Sequence, residues 1–250
     1  MAQPRVGAEL IVFGERVNTD FAGTIQAVAE AGYDGFEMGT IDSEEQFERV
    51  KAARDAAGIV CAACHAGYTN LLDPAKVKAY VRFTQAIGSE FFITSGRGDW
   101  KTLDAYVEAA KVLNEVGRRC RDTELRFCYH NHNWEFRPIE GQAPIHTMVA
   151  ALDPELVQLC PDIYWVQVGG VQPADFISQY RDIIPFYHFK DGLGGDQFRE
   201  LGQGNVDVPA ALKAALATDP AWIVIEQDRS ALEAGESARV SREYLRSLGL

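Results

Sequence analysis

Phe127-Cys128-Tyr129-His130-Asn131-His132 decides the fold: an apolar run of strand length that finishes in imidazole, with Glu135 following in the next loop. Three later runs are built the same way. They are Leu159-Cys160-Pro161-Asp162, Phe186-Tyr187-His188-Phe189-Lys190-Asp191 and Ile223-Val224-Ile225-Glu226-Gln227-Asp228. Each is largely apolar, as a strand covered on both faces must be. Each also ends in a group able to hold a divalent cation or move a proton. Parallel strands carry their C-terminal ends to one rim, so groups distant in sequence would converge there.

Working outward, strand-like and amphipathic helical segments alternate along the chain. The pattern predicts strands at 10–13, 33–38, 59–65, 91–95, 125–130, 157–162, 186–190 and 222–227. Helices are expected at 21–31, 43–57, 74–87, 103–121, 173–180, 208–217 and 231–248. Asp73 caps before Pro74, Thr24 opens the first helix, and Gly32, Gly58 and Gly88 terminate helices. Eight strand–helix units predict an α/β fold, a closed (β/α)8 TIM barrel using residues 1–250 as a single domain.

The formal charge of −12, with no dense run of Lys or Arg, repels phosphate backbones and anionic lipid, so neither nucleic acid nor membrane is an expected partner. The opening Met1-Ala2-Gln3-Pro4-Arg5 lacks the pattern of a secretion signal, and no segment approaches membrane-spanning length, so a cytoplasmic location is expected. Five cysteines fit reduced, buried thiols. Cys61-Ala62-Ala63-Cys64-His65 has the spacing of covalent haem attachment, but a strand here would place Cys61 and His65 on one face and Cys64 on the other, which argues against haem.

Strand alternation then selects a site. With Glu226 inward, Val224 and Trp222 are inward too; Asp162 brings Cys160, His188 brings Lys190, and His130 shares a face with His132. Glu37 and His65 end the second and third strands. Either would contact substrate or simply complete a hydrogen-bonded rim. Lys190 and Asp191 could form no more than a salt bridge. Asp162 and Glu226 are different, because buried carboxylates require a cation and few Lys or Arg lie at these rims. With His188 they form an oxygen and nitrogen donor set that suits Mn²⁺, Mg²⁺ or Co²⁺ better than structural zinc. Trp134 and Trp165 could wall a pocket or fill the core. Gly192-Leu193-Gly194-Gly195 follows the seventh strand, where barrels can bind phosphate, but no basic cluster adjoins it and a flexible loop is expected.

Taken together, several stretches resemble the sugar phosphate isomerase/epimerase superfamily of xylose isomerase-like barrels, over nearly the whole chain. They are Gly32-Tyr33-Asp34-Gly35-Phe36-Glu37, Tyr129-His130-Asn131-His132-Asn133-Trp134-Glu135-Phe136 and Asp162-Ile163-Tyr164-Trp165, with His188-Phe189-Lys190-Asp191, Gly202-Gln203-Gly204-Asn205-Val206-Asp207 and Glu226-Gln227-Asp228. The resemblance implies one divalent metal ion, usually manganese, held at the ends of strands five to eight by Glu135, Asp162, His188 and Glu226. The chain departs at the fifth strand, where many relatives place a glutamate ligand two residues before a His and this chain has His130. Either His130 substitutes, or Glu135 reaches back from the loop; the second is slightly favoured.

A metal held in this way would chelate a carbonyl and its neighbouring hydroxyl and stabilise an enediolate. Glu226, Glu135, His130 and His132 are the candidate proton carriers, and Lys190 would hold developing negative charge or orient a hydroxyl. The expected function is isomerisation or epimerisation of a small keto-sugar. The Tyr-His-Asn-His variant is similar to relatives of keto-sugar and keto-glycoside conversion, which keeps elimination or hydration on 3-keto-sugars or 3-keto-glycosides open. A non-catalytic sugar-binding barrel, or a subunit that needs a partner, is the second alternative. Apurinic endonucleases share the barrel but need a multi-zinc centre and a positive face, which five histidines and this charge do not supply. Ala-rich helix surfaces permit a homo-oligomer.

Overall fold

The computed structural model describes residues 3–250, so Met1 and Ala2 of the opening segment lie outside it. Its strands are β1 Arg5–Glu9, β2 Gly35–Gly39, β3 Val60–Gly67, β4 Phe91–Ser95, β5 Arg126–His130, β6 Gln158–Cys160, β7 Phe186–Phe189 and β8 Trp222–Ile225. All pair in parallel, running β6-β5-β4-β3-β2-β1-β8-β7 around the sheet. A bridge between Asp162 and His188 joins β6 to β7, with the His188 N–H donating to the Pro161 carbonyl at 2.9 Å. The ring closes at two of the residues that the sequence singled out as cation-binding. The described residues form one TIM barrel.

Inward-facing Ala63, Phe91, Ile93, Cys128, Cys160, Phe186, Trp222 and Val224 pack as an inner core, separate from the larger layer between barrel and helices. The barrel is therefore plugged below its rim. Trp222 fits because Gly35 faces it: a Cβ there would stand 2.8 Å from the indole and 2.5 Å from the Val60 carbonyl oxygen. Helices start at side-chain caps, among them Ser43, Asp73, Thr102 and Asp207, and Gly32, Gly58 and Gly88 end three of them with positive φ.

Four local expectations change. The first strand is Arg5–Glu9, while Leu10–Phe13 is a 3-10 turn capped by the Glu9 carboxylate, which accepts the Ile11 N–H at 2.7 Å. Small residues build that strand because a Cβ on Gly7 would meet Val224 at 3.0 Å. Thr24 lies inside its helix, which Asp20 opens by accepting the Gly23 N–H at 3.0 Å. A register break opposite Phe36 and Glu37 puts Cys61 and Cys64 together in the outer layer. A helix at Pro144–Ala151, unmarked in the sequence, follows β5. All five cysteines are free and buried. Among the described residues, no helix is long and apolar enough to cross a membrane.

Candidate metal centre and active site

His130 ends β5, His188 lies in β7, Glu226 directly follows β8, and Asp162 follows β6 after Pro161. One donor atom from each of these four buried residues lies within 4.8 Å of the others. Asp162 spends Oδ1 on the Trp165 N–H at 3.0 Å, but its Oδ2 and His130 Nδ1 are buried without a hydrogen-bond partner. Left bare in a core, each orphan would cost about 1–3 kcal/mol. Two imidazoles and two carboxylates with orphaned donors fit a divalent cation.

His188 is gripped from both sides. Nδ1 lies 2.5 Å from Glu226 Oε2, and Nε2 lies 2.8 Å from Glu37 Oε2, whose other oxygen is 2.8 Å from His65 Nδ1. Burial opposes charge on His188, but Cys160, Glu37 and Glu226 outweigh it and raise its pKa well above the usual range. Burial likewise pushes against ionised Glu226, yet Lys190 and His188 hold its carboxyl well below the ordinary value. Lys190, fully buried, donates to Glu226 at 2.8 Å, pairs with Asp228, and sits 4.8 Å over the Trp165 ring and 4.7 Å over Phe198. Glu226 thus does find a cation partner, whereas burial takes the Asp162 carboxyl up to about 7.

Glu135 stands outside the four-residue group. It accepts the Tyr129 hydroxyl at 2.6 Å and the His132 N–H at 2.9 Å, and burial raises its pKa to about 7. His132 stacks on Trp134 with ring centroids 4.1 Å apart and faces Trp165 at 5.8 Å; burial lowers its pKa to about 3, so the ring is neutral. His65 is partly exposed beside His130, with centroids 5.4 Å apart. The structure therefore gathers His130, Asp162, His188, Glu226, Lys190, Glu37 and His65 around one rim, with His132, Trp134 and Trp165 as an aromatic wall.

The alternative of a Lys190–Asp191 salt bridge is replaced by a division of labour. Asp191 accepts four backbone N–H groups, from Gly192, Gly202, Gly204 and Val206, at 2.8–3.0 Å and so shapes the loop after β7. The Gly192-Leu193-Gly194-Gly195 segment belongs to a small hairpin in which Asp191–Gly192 pairs with Phe198–Arg199. Sequence reading missed Glu9, whose carboxyl is raised by burial and by the charges of Glu226 and Glu37. It was hidden because the first strand was placed one segment late. Tyr129 and Asn131 were also missed; Asn131 Oδ1 accepts the Asp162 N–H at 3.2 Å. Their place inside the fifth-strand motif was the available signal.

Similar proteins agree with this architecture. An inosose dehydratase from Geobacillus kaustophilus (strain HTA426) is 25% identical over 169 residues, 59% of this chain and 52% of that protein. The chain spans about half the length of the curated relatives it matches. A solved sugar phosphate isomerase/epimerase from Parabacteroides distasonis ATCC 8503 superposes with a TM-score of 0.84 at 18% identity, covering 98% of this chain and 95% of the other. The apo 3-keto-D-glucoside 4-epimerase from E. coli gives 0.77 at 18% identity, covering 98% and 100%. The family model described as xylose isomerase-like TIM barrel matches residues 25–248, and the chain belongs to that family.

Proposed function

We propose that this protein is a divalent-metal-dependent isomerase or epimerase of a small keto-sugar that works through an enediolate. One observation carries the reading: His130, Asp162, His188 and Glu226 present donor atoms within 4.8 Å of one another, and two of these residues keep a buried polar atom, His130 Nδ1 and Asp162 Oδ2, without a hydrogen-bond partner. With His130 in this group and Glu135 occupied by Tyr129 and His132, His130 is the proposed fifth-strand ligand. Mn²⁺, Mg²⁺ and Co²⁺ suit the donors. A cation held there supplies Lewis acidity, polarising a carbonyl and its neighbouring hydroxyl so that the proton on the carbon becomes removable.

The chain's own groups then divide the work. Glu226, kept ionised by Lys190 and His188, is the proton acceptor. His132, neutral and fixed against Trp134, takes or returns a second proton. Glu135 accepts the His132 backbone N–H and so fixes the position from which that ring projects. Lys190 meets negative charge as it develops, while Trp134 and Trp165 shield the site from water. Glu37 bridges the His65 and His188 rings and so acts by holding both; partly exposed His65 is the proposed substrate contact.

A second reading, elimination from a 3-keto-sugar or 3-keto-glycoside, is favoured by the similarity to an inosose dehydratase. The same enediolate would then expel a β-substituent instead of regaining a proton. Incubating the EDTA-treated and Mn²⁺-restored protein with a panel of ketoses and keto-glycosides in D₂O distinguishes these outcomes. Mn²⁺-dependent exchange in a product that keeps every carbon and oxygen of the substrate supports isomerisation or epimerisation; Mn²⁺-dependent loss of the β-substituent supports elimination. Full exchange without metal refutes both. Metal binding with no exchange anywhere in the panel points to a sugar-binding barrel.

A further inference from the structure

One layer beneath the rim the barrel interior carries a sulfur. Cys160 ends β6, two positions before Asp162, and is fully buried in the inner core. Its Sγ lies within 4.8 Å of a ring nitrogen on both His130 and His188, forming a second group of three buried donors that shares two histidines with the first. His130, 1% exposed, keeps Nδ1 unpartnered at this junction. The other four cysteines belong to no such group among the described residues.

We propose that the barrel offers cations two depths: a hard-ion position on His130, Asp162, His188 and Glu226, and beneath it a soft-ion position on His130, Cys160 and His188 that takes Zn²⁺ or Cd²⁺. Thiolate with two imidazoles is a soft donor set, and three protein ligands with an open fourth position is an arrangement that zinc accepts. Binding is a plain exchange: the Cys160 S–H bond breaks, its proton leaves to solvent, a sulfur–metal bond forms, and no oxidation state changes. Both imidazoles are shared, so the two positions exclude one another. A soft ion would engage both His130 and His188 and so would deprive the hard-ion centre of its imidazoles. The inference rests on the metal reading above and extends it to ion choice.

Titrating the metal-free protein with Cd²⁺ tests this through the thiolate-to-cadmium charge-transfer absorption, followed by Mn²⁺ addition with electron paramagnetic resonance of free and bound Mn²⁺. Wild type and Cys128→Ser should develop the band to saturation at one Cd²⁺ per chain, Cys160→Ser should not, and bound Cd²⁺ should keep Mn²⁺ free. Absence of the band in wild type, its survival in Cys160→Ser, or Mn²⁺ bound beside Cd²⁺ overturns the proposal. Should Cys160→Ser fail to fold, X-ray absorption of the wild-type cadmium complex decides: one sulfur and two imidazoles are expected, and no sulfur, or more than one, contradicts it. Mn²⁺ bound by the cadmium-free protein without any cadmium–thiolate band leaves the metal reading intact and removes only this one.

Discussion

Glu37 holds His188 by Nε2, at 2.8 Å, and so leaves Nδ1 as the nitrogen that faces Glu226. A carboxylate behind a metal-binding imidazole fixes its orientation and raises its basicity. Glu37→Gln should weaken Mn²⁺ binding roughly 10–100-fold, read by electron paramagnetic resonance titration. Unchanged affinity would show that the contact does not serve the metal.

Lys190 sits between Glu226 and Asp228 with its side chain wholly buried. Lys190→Met removes the cation and strands two carboxylates, a type of loss that costs about 3–5 kcal/mol in buried pairs. Denaturant unfolding of the metal-free protein should register it at neutral pH. The loss should shrink in acid, where the carboxylates protonate. A variant as stable as wild type would mean that the pair contributes no net stability.

Folding raises the Glu135 pKa from its ordinary 4.5 to about 7, so the folded state holds an extra proton across that window. Stability attributable to this group is therefore present below about pH 4.5 and lost as pH rises through 7, by about 3 kcal/mol in all. Glu135→Gln, compared with wild type by chemical denaturation at a series of pH values, should remove that slope. Equal slopes would place the carboxyl in a more hydrated setting.

Gly204 touches the Asp191 cradle so closely that a Cβ would stand 2.1 Å from Asp191 Oδ1 and 2.3 Å from the Gly192 nitrogen. Gly204→Ala should displace the loop after β7 and cost about 1–3 kcal/mol. Thermal unfolding together with the KM for substrate checks both effects. A neutral substitution would show that the cradle yields easily.

The barrel was legible because its strands are apolar runs between helices that carry Ser, Asp or Thr caps, and alternation from Glu226 to Val224 and Trp222 correctly named an inner face. The first strand was not legible. Gly7 makes room for Val224, so the more apolar Leu10–Phe13 drew the assignment and hid Glu9. Cys61 and Cys64 share a layer because of a register break, which a period-two reading cannot detect. At the site, residue types pointed to Asp162, His188 and Glu226, but the contacts that separate His130 from Glu135 depend on Tyr129 and on the path of the loop from His132 to Glu135. Those are tertiary facts, and spacing alone left both residues open.

Anomalous scattering from a crystal of the protein grown with Mn²⁺ puts the convergence of these side chains to the most direct test. A single manganese peak is expected among His130, Asp162, His188 and Glu226, with Glu135 still bonded to Tyr129. A crystal with no peak at the rim, or with manganese on Glu135 and His130 turned away, would contradict it.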